Sequence, residues 1–158
     1  MFASMLLYVF WGCSSNTELS EEQKDFISEE IERQLKKKER ISKKRYKKMR
    51  SEVPSNLKAI KTAQIAYESD FDTYVTCSPY PSRPSSTPKK WTPSASGGFK
   101  TIGWRPDGDV RGSYSVTTSS TDFTAVGIID VDGDGVYATF VATKSENANA
   151  PTTPNNVY

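Results

Sequence analysis

The sequence predicts an α+β fold in which a helix lies across a four-stranded antiparallel sheet, preceded by a charged helical arm. Three observations predict it. Leu57, Ile60, Gln64, Tyr67 and Phe71 recur at spacings of three and four, which is one face of a helix. Short strand candidates separated by turn residues follow from Phe99 onward, and a proline-rich stretch divides them from the helix. A helix on one side of an antiparallel sheet lets both elements bury their apolar faces in one layer contact.

With 158 residues, 35% of them hydrophobic, the chain has room for one globular unit and an extended arm. Three segments are expected: 1–13 as a signal, 14–53 as a charged helical arm, and 54–158 as the globular domain. Charge separates the last two. Residues 33–50 hold eleven Lys or Arg against the single acid Glu39, a net +10, whereas residues 54–158 hold nine basic and ten acidic groups. The overall +2 therefore hides a basic arm on a near-neutral body.

The opening, Met1 to Cys13, is a short apolar run ending in Gly12-Cys13 and followed by Ser14-Ser15-Asn16-Thr17. A spanning helix needs about 20 apolar residues, whereas a cleaved signal's apolar region is roughly 7–15 residues long. The run resembles a bacterial lipoprotein signal, which implies export and lipidation at Cys13. No Lys or Arg precedes it, and Phe10-Trp11 are bulkier than such signals usually carry.

Residues 18–53 read as a polar helix. Ile27, Ile31 and Leu35 recur every four residues, and Ile41, Met49 and Val53 continue the stripe more thinly. The acidic beginning and basic end suit the helix dipole, and Glu32 with Lys36 and Glu39 with Lys43 are favourable four-residue pairs. A solvated spacer is the expected outcome. A break is expected near Val53, and the main helix from about Ser55 to Ser69, because Pro54 is tolerated in a helix's first turn.

From Cys77 to Pro93 five prolines argue against helix or central strand, so a surface loop is expected. Strands are expected at Phe99–Trp104, Val110–Thr117, Phe123–Asp130 and Val136–Thr143. Arg105–Asp109 and Asp130–Gly135 are the expected hairpin connections, with glycine supplying positive φ. Alternation puts Ala125, Gly127 and Ile129 on one face of the third strand. Trp91, Phe99, Trp104, Tyr114, Phe123 and Phe140 are expected to supply core.

Asp130, Asp132 and Asp134, followed by Gly135, match the first half of an EF-hand loop, where alternate carboxylates converge on Ca²⁺. Val141 stands where the bidentate Glu would fall, so any calcium site would be incomplete, and a plain Asp/Gly hairpin turn is the competing reading. Catalysis has little to stand on. The chain has no histidine, so neither Ser/His/Asp nor Cys/His sets can be built, nor zinc sites clustering Cys and His. Asp107 and Asp109, and Glu68, Asp70 and Asp72, read as turn and helix-end residues, and Cys77 as a packed small side chain. A Cys13–Cys77 disulfide is not expected.

The spine-like segment Ser55–Tyr74, the proline-rich loop, the meander beginning Phe99-Lys-Thr-Ile-Gly-Trp-Arg-Pro-Asp-Gly-Asp109, the Asp130–Gly135 turn and the tail Pro151–Tyr158 come in an order that resembles the globular part of bacterial type IV pilin-like proteins. The resemblance covers about residues 51–158. It implies a pilin-like fold, a long N-terminal helix packed on the four-stranded sheet, and a structural or adhesive role as a component or accessory of pilus or secretion machinery. The Gly-Phe prepilin site and apolar N-terminal helix of such proteins are replaced here by charged residues. Burying these in a filament core would cost several kcal/mol each unless paired. The expected protein is therefore exported, membrane-anchored through lipid at the periplasm or cell surface, with other pilin-like or pilus components as partners and no small-molecule substrate. The alternatives are a true pilin with an altered or misassigned N-terminus, and a module whose basic arm binds anionic lipid or nucleic acid. No aromatic stacking platform accompanies the basic run, which weighs against nucleic acid.

Overall fold

The computed structural model describes residues 18–92, 97–148, 153–154 and 156–158. The chain divides into two units, Met1–Glu39 and Arg40–Tyr158. The expected signal at residues 1–13, with Cys13, lies outside the described residues.

Helix α1 spans Glu21–Arg50. Ser20 and Gln23 form a capping box: the Gln23 N–H donates to Ser20 Oγ at 3.3 Å and the Ser20 N–H donates to Gln23 Oε1 at 3.0 Å. Glu21 and Glu22 occupy its first turn, and Lys47, Lys48 and Arg50 its last. The expected Glu32–Lys36 pair forms at 2.7 Å, beside Glu21–Lys24 at 2.7 Å and Glu30–Arg33 at 2.6 Å. Water screens exposed pairs of this kind, so each stabilises the helix only weakly. The Ile27, Ile31 and Leu35 stripe is exposed.

The expected break falls at Ser51. In a continuous helix the Pro54 ring would meet the carbonyl four residues back, on Arg50, where α1 ends. Helix α2 (Glu52–Phe71) restarts at once, with Pro54 in its first turn. Val53, Leu57, Ile60 and Gln64 are fully buried. Phe71, expected on the same face, is exposed, with its ring 4.5 Å from that of Tyr67. The helix closes on Asp72 in the left-handed conformation, its N–H donating to Glu68 O.

The sheet is an antiparallel meander in the order β1 (Cys77–Tyr80), β2 (Ser113–Thr118), β3 (Phe123–Ile129), β4 (Ala138–Thr143). Four strands were expected, but the first is elsewhere. Phe99–Trp104 is not a strand: Gly98–Thr101 forms a single helical turn, α3. Alternation would put Phe99 and Ile102 on opposite faces, yet both are buried, and their spacing of three suits a turn of helix. Arg105–Asp109 consequently joins no hairpin, and Val110 only bridges to Lys89. The real first strand lies inside the expected loop. It is an edge strand, where Pro79 removes no ladder hydrogen bond if its nitrogen faces outward. The β3–β4 connection at Asp130–Gly135 is the expected hairpin, and β3 buries Phe123, Ala125, Gly127 and Ile129.

The buried side of α2 meets β3 and β4. Contact is close because Gly127 carries no side chain: a Cβ there would collide with Val53 Cγ1 and approach Leu57 within 3.3 Å. At one side, Trp91, Phe99, Trp104 and Tyr114 interlock, with Trp91–Trp104 centroids at 5.2 Å and Trp104–Tyr114 at 5.8 Å. All six aromatics expected in the core are buried.

Gln64 is the fully buried polar residue of α2. Its Nε2 donates to Val75 O at 2.6 Å and its Oε1 accepts the Val75 N–H at 3.0 Å, which satisfies both backbone groups just before β1. Replacing Gln64 by Leu leaves that peptide unpaired, and equilibrium denaturation is expected to show a loss of roughly 1–3 kcal/mol. Gly127→Ala forces α2 from β3 and is expected to cost about 1–3 kcal/mol in the same measurement. An unchanged midpoint in either variant contradicts the corresponding contact.

Candidate functional site

The Asp130–Gly135 loop shapes itself around its first carboxylate. Asp130 Oδ1 accepts the Gly133 N–H at 2.7 Å and Oδ2 accepts the Gly135 N–H at 3.2 Å. Gly133 and Gly135 take φ of 79° and 84°, conformations that residues with a Cβ rarely adopt. Asp134 Oδ1 in turn accepts the Val136 N–H at 2.7 Å, leading into β4. One oxygen from each of Asp130, Asp132 and Asp134 lies within 4.8 Å of the others. Burial pushes the Asp132 carboxyl up, and the neighbouring Asp134 and Asp130 charges and loop hydrogen bonds modify that shift, the charges raising it.

This donor set fits a single cation in part. Oxygens up to 4.8 Å apart can share an ion bound at about 2.3–2.6 Å. However, Val141, at the place of the bidentate Glu, lies in β4, and two of the three carboxylates already serve backbone N–H groups.

A second polar constellation, not anticipated from sequence, joins α2 to the loop before β2. Glu52 Oε1 accepts the N–H groups of Arg111 at 2.9 Å and Gly112 at 3.0 Å and the Tyr114 hydroxyl at 2.9 Å. Asn56 Nδ2 donates to that hydroxyl at 2.8 Å. Burial, reinforced by the Glu52 charge, raises the Tyr114 phenol far above its ordinary range, so it stays a donor. Beside Glu52 runs a surface groove of about 520 Å³ bordered by Arg45, Lys48 and Arg111. An acid in a helix's first turn was the available signal; the partner loop 59 residues on was not.

Asp107 and Asp109, with Lys90, Trp91 and Arg105, line a depression of about 380 Å³, so the turn residues do share a surface. Among the described residues, Trp91 Nε1 is buried without a hydrogen-bond partner. Glu68 pairs with Lys144 at 3.3 Å and Asp72 caps α2, which makes them helix-end residues. Cys77 is a free, buried thiol pushed up to about 12 by burial, inert as a nucleophile near neutrality. No helix among the described residues is long and apolar enough to cross a membrane.

The architecture thus defines the class, a helix-on-meander α+β domain. No family model, curated protein or solved structure matches the chain.

The raised Asp132 carboxyl has a defined consequence for stability. The folded state holds that proton to higher pH than the unfolded chain does, so stability falls as pH rises through this carboxyl's titration. Asp132→Asn is expected to raise the melting temperature at about pH 7 and to lose that advantage near about pH 3, where both states are protonated. An equal effect at both pH values contradicts the electrostatic account.

Proposed function

We propose that this is a non-enzymatic structural or adhesive protein of the type IV pilin-like class, exported and held at a membrane by lipid on Cys13. It accompanies pilus or secretion machinery, with other pilin-like components as partners, and does not enter a filament core. The observation that carries the reading is the placement of α2 across β3 and β4 of a four-stranded meander. The segments that build this layer contact are those whose order resembles pilin-like proteins. The internal polar groups serve it: Glu52 and Gln64 are engaged with backbone N–H and C=O groups of the surrounding chain.

In this reading the Asp130–Gly135 loop takes a calcium ion weakly, with carbonyls and water completing the shell, and Ca²⁺ relieves the repulsion at Asp132. A second reading, a module for anionic lipid or nucleic acid, is favoured by the groove among Arg45, Lys48 and Arg111.

The deciding experiment is mass spectrometry of the N-terminus with subcellular fractionation, comparing the native chain with Cys13→Ser. The expected result is an acylated Cys13 in the membrane fraction that the substitution abolishes. An unmodified soluble chain beginning at Met1 overturns the lipid-anchored reading.

A further inference from the structure

The groove beside Glu52 is built entirely by residues of the unit from Arg40 to Tyr158. Arg45 and Lys48 stand three residues apart near the end of α1, which puts them on one side of the helix, and Arg111 borders the same groove from the loop before β2. Among the described residues no acid pairs with any of the three. Glu52 is the one acid bordering the groove, and its Oε1 is taken up by the N–H groups of Arg111 and Gly112 and by the Tyr114 hydroxyl. Three cations against one acid leave the groove a formal 3 − 1 = +2.

Arg111 is fixed at two points. Its backbone N–H is held by both Glu52 oxygens, at 2.9 and 3.1 Å, and its side-chain Nε–H donates to Ser86 O at 3.3 Å. Among the described residues, the two outer nitrogens of its guanidinium have no partner. A planar fork held in place before a ligand arrives loses less freedom on binding than a loose side chain does. The Ser51 and Ser55 hydroxyls, also in the groove, already donate to Lys48 O at 2.6 Å and Ser51 O at 3.1 Å, so the cations are the donors on offer.

We propose that this groove binds a phosphate monoester, two of whose oxygens lie on the Arg111 fork while Arg45 and Lys48 neutralise the remainder. The fork matches phosphate bidentately. A phosphate monoester carries about −1.5 to −2 at pH 7, which matches the groove's +2, whereas a carboxylate or a phosphodiester brings a single charge. The groove's volume of about 520 Å³ leaves room for an organic group, and half-buried Met49 supplies an apolar wall for it. The inference deepens the second reading above and rests on it, since it names the chemistry of the anion that the groove takes. A soluble phosphate monoester and the headgroup of phosphatidic acid present that same chemistry.

Two measurements on the full chain test it: calorimetric titration with glycerol 3-phosphate, and co-sedimentation with phosphatidylcholine vesicles with and without phosphatidic acid. Saturable binding is expected in at least one, weakened about tenfold or more by Lys48→Gln and by Arg111→Lys. Arg111→Lys keeps the charge, so its effect reports the fork. Lys48 is exposed, so its substitution is expected to leave the melting temperature unchanged, which separates lost binding from lost folding. Dimethyl phosphate, a monoanionic diester, should bind about tenfold more weakly than glycerol 3-phosphate. Binding of glycerol 3-phosphate assigns the groove to a soluble ligand, and binding of phosphatidic acid vesicles alone assigns it to a lipid headgroup. No binding in either measurement, binding indifferent to Lys48→Gln, or equal affinity for dimethyl phosphate overturns the proposal. Combined Lys36→Gln, Lys37→Gln and Lys38→Gln, outside the groove, separates this failure from that of the second reading. Binding to phosphatidylglycerol vesicles or an oligonucleotide that this triple variant abolishes and Lys48→Gln does not keeps the second reading and overturns the groove; no binding to either probe overturns that reading as well.

Discussion

The unit from Arg40 onward depends on how closely α2 lies against β3. Gly127 sets that distance, because its missing Cβ is where Val53 Cγ1 sits. Val53, Leu57 and Ile60 then reach the sheet with no exposure, and Ala125, Ala138 and Ala142, all small and fully buried, keep the floor low beneath them. A larger residue anywhere on this floor would lift the helix. The buried α2 side chains would then lose contact together, since close packing makes small displacements costly.

Close packing leaves a second problem, which side chains of the two helices solve. The segments between elements are irregular, and their backbone groups need partners if they are to run near the core. Glu52 accepts the N–H groups of Arg111 and Gly112, and Gln64 pairs with both backbone groups of Val75. Arg50, at the end of α1, donates to Pro154 O at 3.2 Å while its guanidinium lies 5.0 Å over Phe140. Three side chains of the chain's helical region, Arg50, Glu52 and Gln64, thus each hold a different stretch of non-helical chain. The tail is fixed from its other side by Val131 N–H to Tyr158 O and by Thr139 N–H to Thr153 Oγ1. Burial lowers the Arg50 pKa, partly offset by its electrostatic interaction with Tyr158, but the group keeps its proton at any ordinary pH.

What was legible in the sequence follows the range of the interaction behind it. Local periodicity and turn chemistry announced α2, β3, β4 and the Asp130–Gly135 hairpin, since a helix face or an Asp/Gly turn is written within a few residues. The segment around Phe99 was misread because four residues are too few to display a period, and aromatic content alone favours strand. Cys77–Tyr80 was misread because Pro79 excludes a central strand but not an edge, and edge position is a property of the whole sheet. The Asp loop could be read as a cluster, but not the share of its carboxylates that the backbone occupies. Glu52 was invisible as a partner for Arg111, which lies 59 residues away.

The arm follows different rules from the globular body. Helix α1 holds its shape by a capping box, a favourable dipole and short-range ion pairs, all of them local interactions. These local terms explain why the segment is helical without explaining its apolar side. A spacer that only had to be soluble and helical could place Lys, Glu or Gln at positions 27, 31 and 35, all better helix formers than the β-branched Ile found at two of them. Isoleucine there lowers helix propensity and leaves apolar surface in water, so both terms oppose the isolated helix. A covering surface reverses the sign of the second term, at roughly 25 cal/mol per Å² removed from water. The separation of acids from bases along the same helix then restricts which covering surface is electrostatically favourable.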